Sequence, residues 1–387
     1  MQNASEKKRM PLRDLTENPT FRLLVAVIGL VLLVGAMWFS VRFMSQDDAP
    51  KWATAFVALF VGTLGAAAFF YFSDNLVGNL PSRIAHALRP YVFIGPALLL
   101  LGFFLVYPAV STISLSFQNR DSSAFVGLQN YIKAFTDSDI LLIFRNNILW
   151  MITVTFFSVA FGLLIAVVAD RVKTESIIKS LIFMPMAISS VGASVIWRFV
   201  YYYQPPGRDQ IGLLNAVRTA FGGDPVAWIT KRATEIPFFT NLFARLGLDV
   251  TFPLNTFLLI VIMIWTQTGF AMVVISAAIK GVPSELLEAA RIDGASEVQV
   301  FFRITVPSIR PTILTVVTTI VILVLKVFDI VFVMTSGQFD TQVIANEMYL
   351  QMFRWRDFGM GSALAVILFI AVIPVIVNNI RSWQRER

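Results

Sequence analysis

Eight stretches of roughly 20 predominantly apolar residues recur along this chain of 387 residues. Each is long enough to cross about 30 Å of hydrocarbon at ~1.5 Å of helix rise per residue. They run approximately from Leu23 to Phe43, Ala53 to Phe72, Tyr91 to Val110, Ile148 to Ala169, Ser180 to Tyr201, Thr256 to Ile279, Thr312 to Met334 and Gly361 to Ile380. Inside lipid a segment must pair its own backbone N–H and C=O groups, so the runs are expected to be helices. The fold class that follows is an all-α integral membrane protein with about eight transmembrane helices. With 57% hydrophobic and 14% charged residues, an ordinary soluble chain of two or three domains is excluded.

Orientation is read from lysine and arginine near the span ends. The first tail holds Lys7, Lys8, Arg9, Arg13 and Arg22. Alternate loops add Arg83 and Arg89, then Arg171, Lys173 and Lys179, then Lys280, Arg291, Arg303 and Arg310, and finally Arg381, Arg385 and Arg387. With eight spans all of these fall on one side, so both termini are expected to be cytoplasmic. The short loop after the first span sets Asp47 and Asp48 against Arg42 and Lys51, a weaker retention signal. The long outer loop from Tyr202 to Asn255 also carries cations, but long loops cross largely regardless of charge. A cleaved signal peptide is the alternative for the first run. Its length exceeds a signal core of about 7–15 residues and no small-x-small site precedes Asp47, so a signal anchor is the simpler reading.

Spans three to eight read as one six-helix unit, residues 91–387. Residues 1–90 hold the cytoplasmic tail and two accessory helices. The intervening linker from Ser73 to Pro90 contains Gly78, Pro81 and Pro90 and is expected to break regular structure more than once. The net charge of +7 punctuates apolar runs instead of forming a compact basic and aromatic surface, so no nucleic acid is implied. With no cysteine and the single histidine His86, neither a disulfide framework nor a thiolate metal site can form.

The sizeable inner loop, 280–311, has the grammar of two short helices. Ser284 is expected to cap the first, with Glu285 and Glu288 near its positive end. Gly294 suits the left-handed residue that terminates such a helix. Ser296 with Gln299 makes a capping box for the second helix, which Pro307 should end. Ala289 and Ala290 would then form a low ridge able to sit in a groove of a soluble partner. An amphipathic hairpin lying on the lipid surface explains the spacing equally well.

Glu288-Ala289-Ala290, then Gly294 three residues beyond Arg291, then Ile304, Val306 and Pro307 resemble the EAA motif of binding-protein-dependent ABC importer permeases. Val306 stands where leucine is usual. In that family the motif is the coupling helix that docks on the ATP-hydrolysing subunit. Phe125-Val126-Gly127-Leu128-Gln129-Asn130-Tyr131 with Phe135-Thr136 and Arg145-Asn146-Asn147 is similar to the first outer loop of carbohydrate-importer permeases. Phe328-Asp329 with Thr335, and Gly361-Ser362-Ala363-Leu364-Ala365, are similar too. The maltose-transporter type likewise has eight spans, two of them preceding a six-helix core. Tyr203-Gln204-Pro205-Pro206-Gly207 through Ile211-Gly212-Leu213-Leu214-Asn215 looks more like the alpha-glucoside-transporter permeases.

This resemblance covers roughly Leu88 onward. It implies a type I ABC importer transmembrane-domain fold in a bacterial-type cytoplasmic (inner) membrane. The implied partners are a second permease, two ATP-binding subunits that hold ATP and Mg, and an extracytoplasmic sugar-binding protein docking on the outer loops. The implied cargo is a sugar, such as an alpha-glucoside. No G-x-x-x-x-G-K-[ST] loop occurs here, which leaves nucleotide to a partner and gives this chain no cofactor of its own. An ion-coupled secondary transporter is the alternative, although the spans hold almost no acidic residue besides Asp329. An intramembrane enzyme is disfavoured by the lack of a serine elbow, a H-E-x-x-H pair or paired carboxylates at membrane depth.

Sugars are bound by aromatic faces and planar hydrogen-bonding groups. Span six offers Trp265, Thr266, Gln267 and Phe270, beginning roughly 13 Å from its outer end. Span seven offers Lys326 and Asp329, the lysine roughly 12 Å from its outer end. The two sets can meet across one cavity. Lys326 and Asp329, three apart, are expected on one helical face where they can neutralise each other. Whether they touch sugar or join spans as a structural pair stays open, as does simple helix packing for Trp265 and Phe270 and an interhelical hydrogen bond for Gln267.

Overall fold

The computed structural model describes residues 19–46, 48–170, 172–230, 245 and 253–385. The basic tail from Lys7 to Arg13, Asp47, Arg171, Arg387 and most of the outer loop beyond residue 230 lie outside the described residues. The named elements are all helices, and they divide between two compact units, one ending at Val110 and the other beginning at Ser111.

In the first unit α1 (Pro19–Met44) packs along α2 (Lys51–Gly78), and α2 along α3 (Ser82–Leu101). Gly29 is where α1 approaches closest, since a Cβ there would run into the Phe72 ring. Phe70 stacks on Phe93 at 5.9 Å, and Arg89 reaches Asp74 at 3.4 Å. The linker breaks once, not repeatedly. α2 runs on to Gly78, Pro81 caps the next helix, and Pro90 and Pro96 both lie inside α3. A proline removes one backbone bond, but ending the helix at Pro90 would strand the backbone of the apolar run that follows it. A π turn, Gly102–Val106, carries α3 into α4 (Tyr107–Leu115).

The second unit is built on α6 (Ser138–Ala169) and α10 (Leu254–Lys280), its most extensive helix pair. Gly162 and Ala271 set their closest approach: a Cβ on Gly162 would lie 2.6 Å from the Ala271 Cβ. Without a hydrophobic force between helices in lipid, such small residues let backbones meet. Around this pair Trp150, Val154, Leu259, Ile260, Met272 and Ile275 are fully buried. α14 (Arg310–Leu325) packs on α6 and adds Val316, Ile320 and Val324 to the same core. α5 (Gln129–Thr136), α16 (Ile344–Tyr349) and α17 (Phe358–Arg385) close a smaller core of Ala134, Ile140, Ile143, Ile344, Met360 and Leu364.

One expected span is bent, and a second bend falls just ahead of the seventh. The fifth is α7 (Glu175–Phe183), a 3₁₀ turn (Met184–Ala187) and α8 (Ser190–Val200), turning through 101° near Ile188. The other bend, of 66°, separates the stretch ending at Ser308 from α14. Among the described residues six helices are therefore long and apolar enough to cross a membrane, or up to eight if each bent pair counts as one span, in line with the eight apolar runs.

Candidate functional site

The inner loop folds as two short helices, with two corrections of detail. α11 (Ser284–Ile292) has Pro283 at its N-cap position, with φ −56° and ψ 129°, so the helix starts one residue earlier than expected and Ser284 is its first residue and not the cap. At its other end Gly294 has φ +82°, and its N–H bonds Arg291 O at 3.1 Å while that of Ala295 bonds Ala290 O at 3.0 Å. That pair of bonds is the Schellman closure, which needs a left-handed residue at Gly294. The capping box also forms: Gln299 N–H donates to Ser296 Oγ at 3.3 Å and Ser296 N–H to Gln299 Oε1 at 2.8 Å. It opens α12 (Glu297–Val300).

Pro307, however, does not end the second helix. It lies in α13 (Val306–Ser308), after a π turn at Phe301–Thr305 whose wider winding precedes the proline, and the break comes at Ile309. Nor are the two helices held by backbone alone. Arg291 Nε donates to Glu297 Oε1 at 2.7 Å, and this carboxylate holds the guanidinium above the ordinary arginine range. Glu288, Ala289 and Gly294 are exposed and Ala290 is half-buried, and Ile292 beside them is 85% exposed.

The substrate-path candidates divide. Thr266, Gln267, Lys326 and Asp329 line one cavity of about 210 Å³, together with Ser190, Met263, Leu323, Val327, Phe328 and Ile330. Trp265 instead packs edge-on against Trp197 at 5.8 Å, and Phe270 packs against the main core; neither lines the cavity.

Two interruptions of regular helix meet at this cavity. α8 starts at Ser190 after the sharp bend, and α14 stops at Leu325 with α15 (Asp329–Met334) starting after three intervening residues. The expected continuous seventh helix is thus broken at Lys326, Val327 and Phe328, where Phe328 takes φ −135°. The break has a partner across the unit. Asn147 Nδ2 donates to Leu325 O at 3.3 Å and Asn147 Oδ1 accepts from Ile344 N at 2.8 Å. One side chain so relieves an orphan carbonyl at the end of α14 and fixes the start of α16. Asn146 beside it donates to Asp340 O at 2.7 Å and Gln342 O at 2.9 Å.

Because the helix breaks between them, Lys326 and Asp329 do not share a helical face, and they form no ion pair with each other. Both are exposed to the open side of the cavity. Gln267 Oε1 is buried and has no hydrogen-bond partner among the described residues. A buried oxygen left so costs roughly 1–3 kcal/mol unless water or a ligand donates to it. The cavity therefore presents an acceptor at Gln267, a cation and an anion on separate backbone segments, hydroxyls from Ser190 and Thr266, and the Phe328 ring. Phe328 and the positioning residue Asn147 stand in the sequence only within family-like runs and were not assigned to the cavity, and Ser190 was not noted at all; an asparagine pair inside a long apolar helix was the available signal. Among the described residues no group of three or more His, Asp or Glu gathers as a metal site.

A family profile described as "Binding-protein-dependent transport system inner membrane component" matches residues 148–387. The chain is 52% identical over 295 residues to the osmoprotective compounds uptake permease protein GgtC of Synechocystis, covering 76% of this chain and 99% of that protein. It is 48% identical over 347 residues to the alpha-glucoside transport system permease protein AglF of Rhizobium meliloti, covering 86% and 97%. The fold aligns with a chain of the bacterial alginate ABC transporter solved in complex with its alginate pentasaccharide-bound periplasmic protein, at TM-score 0.62 and 19% identity, over 77% of this chain and 94% of that one. The EAA-like loop, the helix count and these matches agree, and the chain belongs to the binding-protein-dependent transport system inner membrane component family, as a multi-pass permease subunit of an ABC importer.

Proposed function

We propose that this subunit forms one half of the path for a neutral sugar or osmoprotective solute, with an alpha-glucoside as the leading cargo. The carrying observation is the cavity in which Gln267 Oε1 lies buried and unpartnered beside Thr266, Lys326 and Asp329. A polyhydroxylated solute supplies both the donor that Gln267 lacks and acceptors for Lys326, and the Phe328 ring offers an apolar face to the sugar ring. Relatives that transport alpha-glucosides and osmoprotective compounds support this class of cargo.

In this reading residues 1–90 are accessory, residues 91–387 form the core, and both termini are cytoplasmic. Glu288, Ala289, Ala290 and Gly294 couple the core to an ATPase. A second permease, two ATP-binding subunits and an extracytoplasmic binding protein complete the complex. Closure of the ATPases draws the coupling loops together and rocks the spans from inward-open to outward-open, so that a binding protein releases solute into the cavity. Uptake of a labelled panel of alpha-glucosides, neutral osmoprotective solutes and acidic saccharides by the reconstituted complex tests the cargo. Uptake of the first two classes is expected; transport of acidic saccharides alone would overturn it.

A further inference from the structure

We propose that Lys179 is a positioning residue that makes the inner ends of α6, α7 and α10 move as one block with the inner loop, given the coupling role proposed for that loop. Its ammonium bonds Asp170 Oδ1, Glu175 Oε1 and Ser276 Oγ. The three partners belong to three elements: Asp170 caps the end of α6, Glu175 opens α7, and Ser276 lies one turn before the end of α10. Ser276 Oγ also donates to Asp170 Oδ1 at 2.9 Å, and Lys280 Nζ donates to Glu175 Oε1. Lys280 is the last residue of α10, and the inner loop leaves directly from it.

Helix chemistry accounts for only part of this cluster. A cation at the end of α10 and an anion at the start of α7 each suit the helix dipole. Asp170 does not, because a carboxylate at the end of α6 faces the negative pole, and its side chain is only 15% exposed. Lys179, itself 17% exposed, and the buried Ser276 hold it there. Withdrawing both charges from water costs free energy that apolar packing would avoid; what the pair supplies is a fixed arrangement of the three helix ends.

The block reaches the cavity by two routes. α10 carries Met263, Thr266 and Gln267, the glutamine about 20 Å of helix from Lys280. α7 leads through the 3₁₀ turn to Ser190. Close approach of Gly269 to Ile182 and Phe183, and of Gly162 to Ala271, keeps the same three helices together along the way. The opposite wall, Leu323 and Lys326 to Ile330, joins the other end of the loop through α14, beyond the 66° bend. Movement of the loop therefore acts on the two walls from its two ends, and Lys179 makes Ser190 follow Gln267.

The test is the ratio of solute taken up to ATP hydrolysed in the reconstituted complex. Lys179→Gln should leave assembly and hydrolysis near their unaltered levels while the ratio falls about tenfold, and Lys179→Arg should recover most of it. A second variant keeps Lys179 and Asp170, so a Lys179→Gln chain that fails to assemble does not decide the matter. In Glu175→Cys/Lys280→Cys, on a chain with no native cysteine, the ratio should fall, and a short bis-maleimide bridge between the two thiols should restore it. Assembly, hydrolysis and uptake lost in step in both variants would make the cluster merely structural and overturn the proposal. An unchanged ratio in both would overturn it too, as would a bridge that stops uptake, since the two ends would then have to separate during the cycle. Gly294→Trp, measured alongside, tells the two levels apart. Normal hydrolysis and uptake there would remove the coupling role of the loop, whereas impaired Gly294→Trp beside an unchanged ratio in the Lys179 and cysteine variants would remove the clamp alone.

Discussion

The first and sixth spans are of similar length and both strongly apolar, yet only 6% of the first span's most apolar window is buried inside the protein, against 61% for the sixth. Hydrophobicity therefore does not decide which helices pack, because lipid tails are as apolar as leucine. The difference lies in polar and small residues. In α10, Asn255 Nδ2 donates to Phe339 O at 2.6 Å, Ser276 Oγ to Asp170 Oδ1 at 2.9 Å, and Gly269 brings the backbone against Ile182 and Phe183. Lys179 joins the same inner-end cluster, bonding Asp170, Glu175 and Ser276. In α1 the corresponding polar group, Ser40, bonds only its own helix at Ala36 O, 2.7 Å away.

Matched glycine substitutions should break this contrast most severely. A Cβ on Gly269 would lie 2.5 Å from Ile182 O and 2.8 Å from Phe183 Cα, whereas one on Gly35 in α1 meets nothing within 4 Å. Gly269→Leu is expected to cost about 3 kcal/mol or more, since backbone cannot yield as a side chain can. Gly35→Leu should stay within about 0.5 kcal/mol. Thermal inactivation in detergent reads both, and equal effects would remove the distinction.

A smaller loss is expected at the hydrogen bonds that hold the broken seventh span. Asn147→Leu leaves Leu325 O and Ile344 N–H without their partner, at roughly 1–3 kcal/mol for each buried group. Thermal stability should fall and hydrogen exchange at Ile344 should rise. Unchanged exchange there would mean that Asn147 does not fix the start of α16.

The mildest effect on folding belongs to the inner loop. No atom lies within 4 Å of a Cβ on Gly294, so Gly294→Trp suffers from its φ of +82° alone, about 1–2 kcal/mol. The protein should reach the membrane with its spans intact while solute-stimulated ATP hydrolysis and uptake both drop. Normal hydrolysis and uptake would sink the docking role of the loop.

These contrasts also show what a reader of sequence can and cannot see. Eight spans were legible because crossing hydrocarbon demands length, and the left-handed Gly294 and the Ser296–Gln299 box were legible because caps are local. The breaks were not. Apolar residues fill the seventh run on both sides of Lys326, and the residue that completes the break, Asn147, is 178 positions from Leu325, whose carbonyl it binds. Pro90 and Pro307 read as stops, yet each sits within helix because the surrounding run supplies its backbone partners. For the cavity, matched depth along two spans was enough to bring Thr266, Gln267, Lys326 and Asp329 together. Depth could not say which way each side chain faces, so Trp265, packed edge-on against Trp197, was grouped with them.

The most direct test of the central claim is uptake by the reconstituted complex carrying Gln267→Leu or Lys326→Met. Because Lys326 and Asp329 are not an ion pair, neither substitution should disturb assembly or basal ATP hydrolysis. Loss of a hydrogen bond to a desolvated sugar, roughly 1–3 kcal/mol, should cut uptake at subsaturating solute by about tenfold for each. Full uptake in both variants would contradict the account, as would failed assembly of Lys326→Met that Asp329→Asn rescues with uptake restored, because the cavity would then be structural and the solute would pass elsewhere.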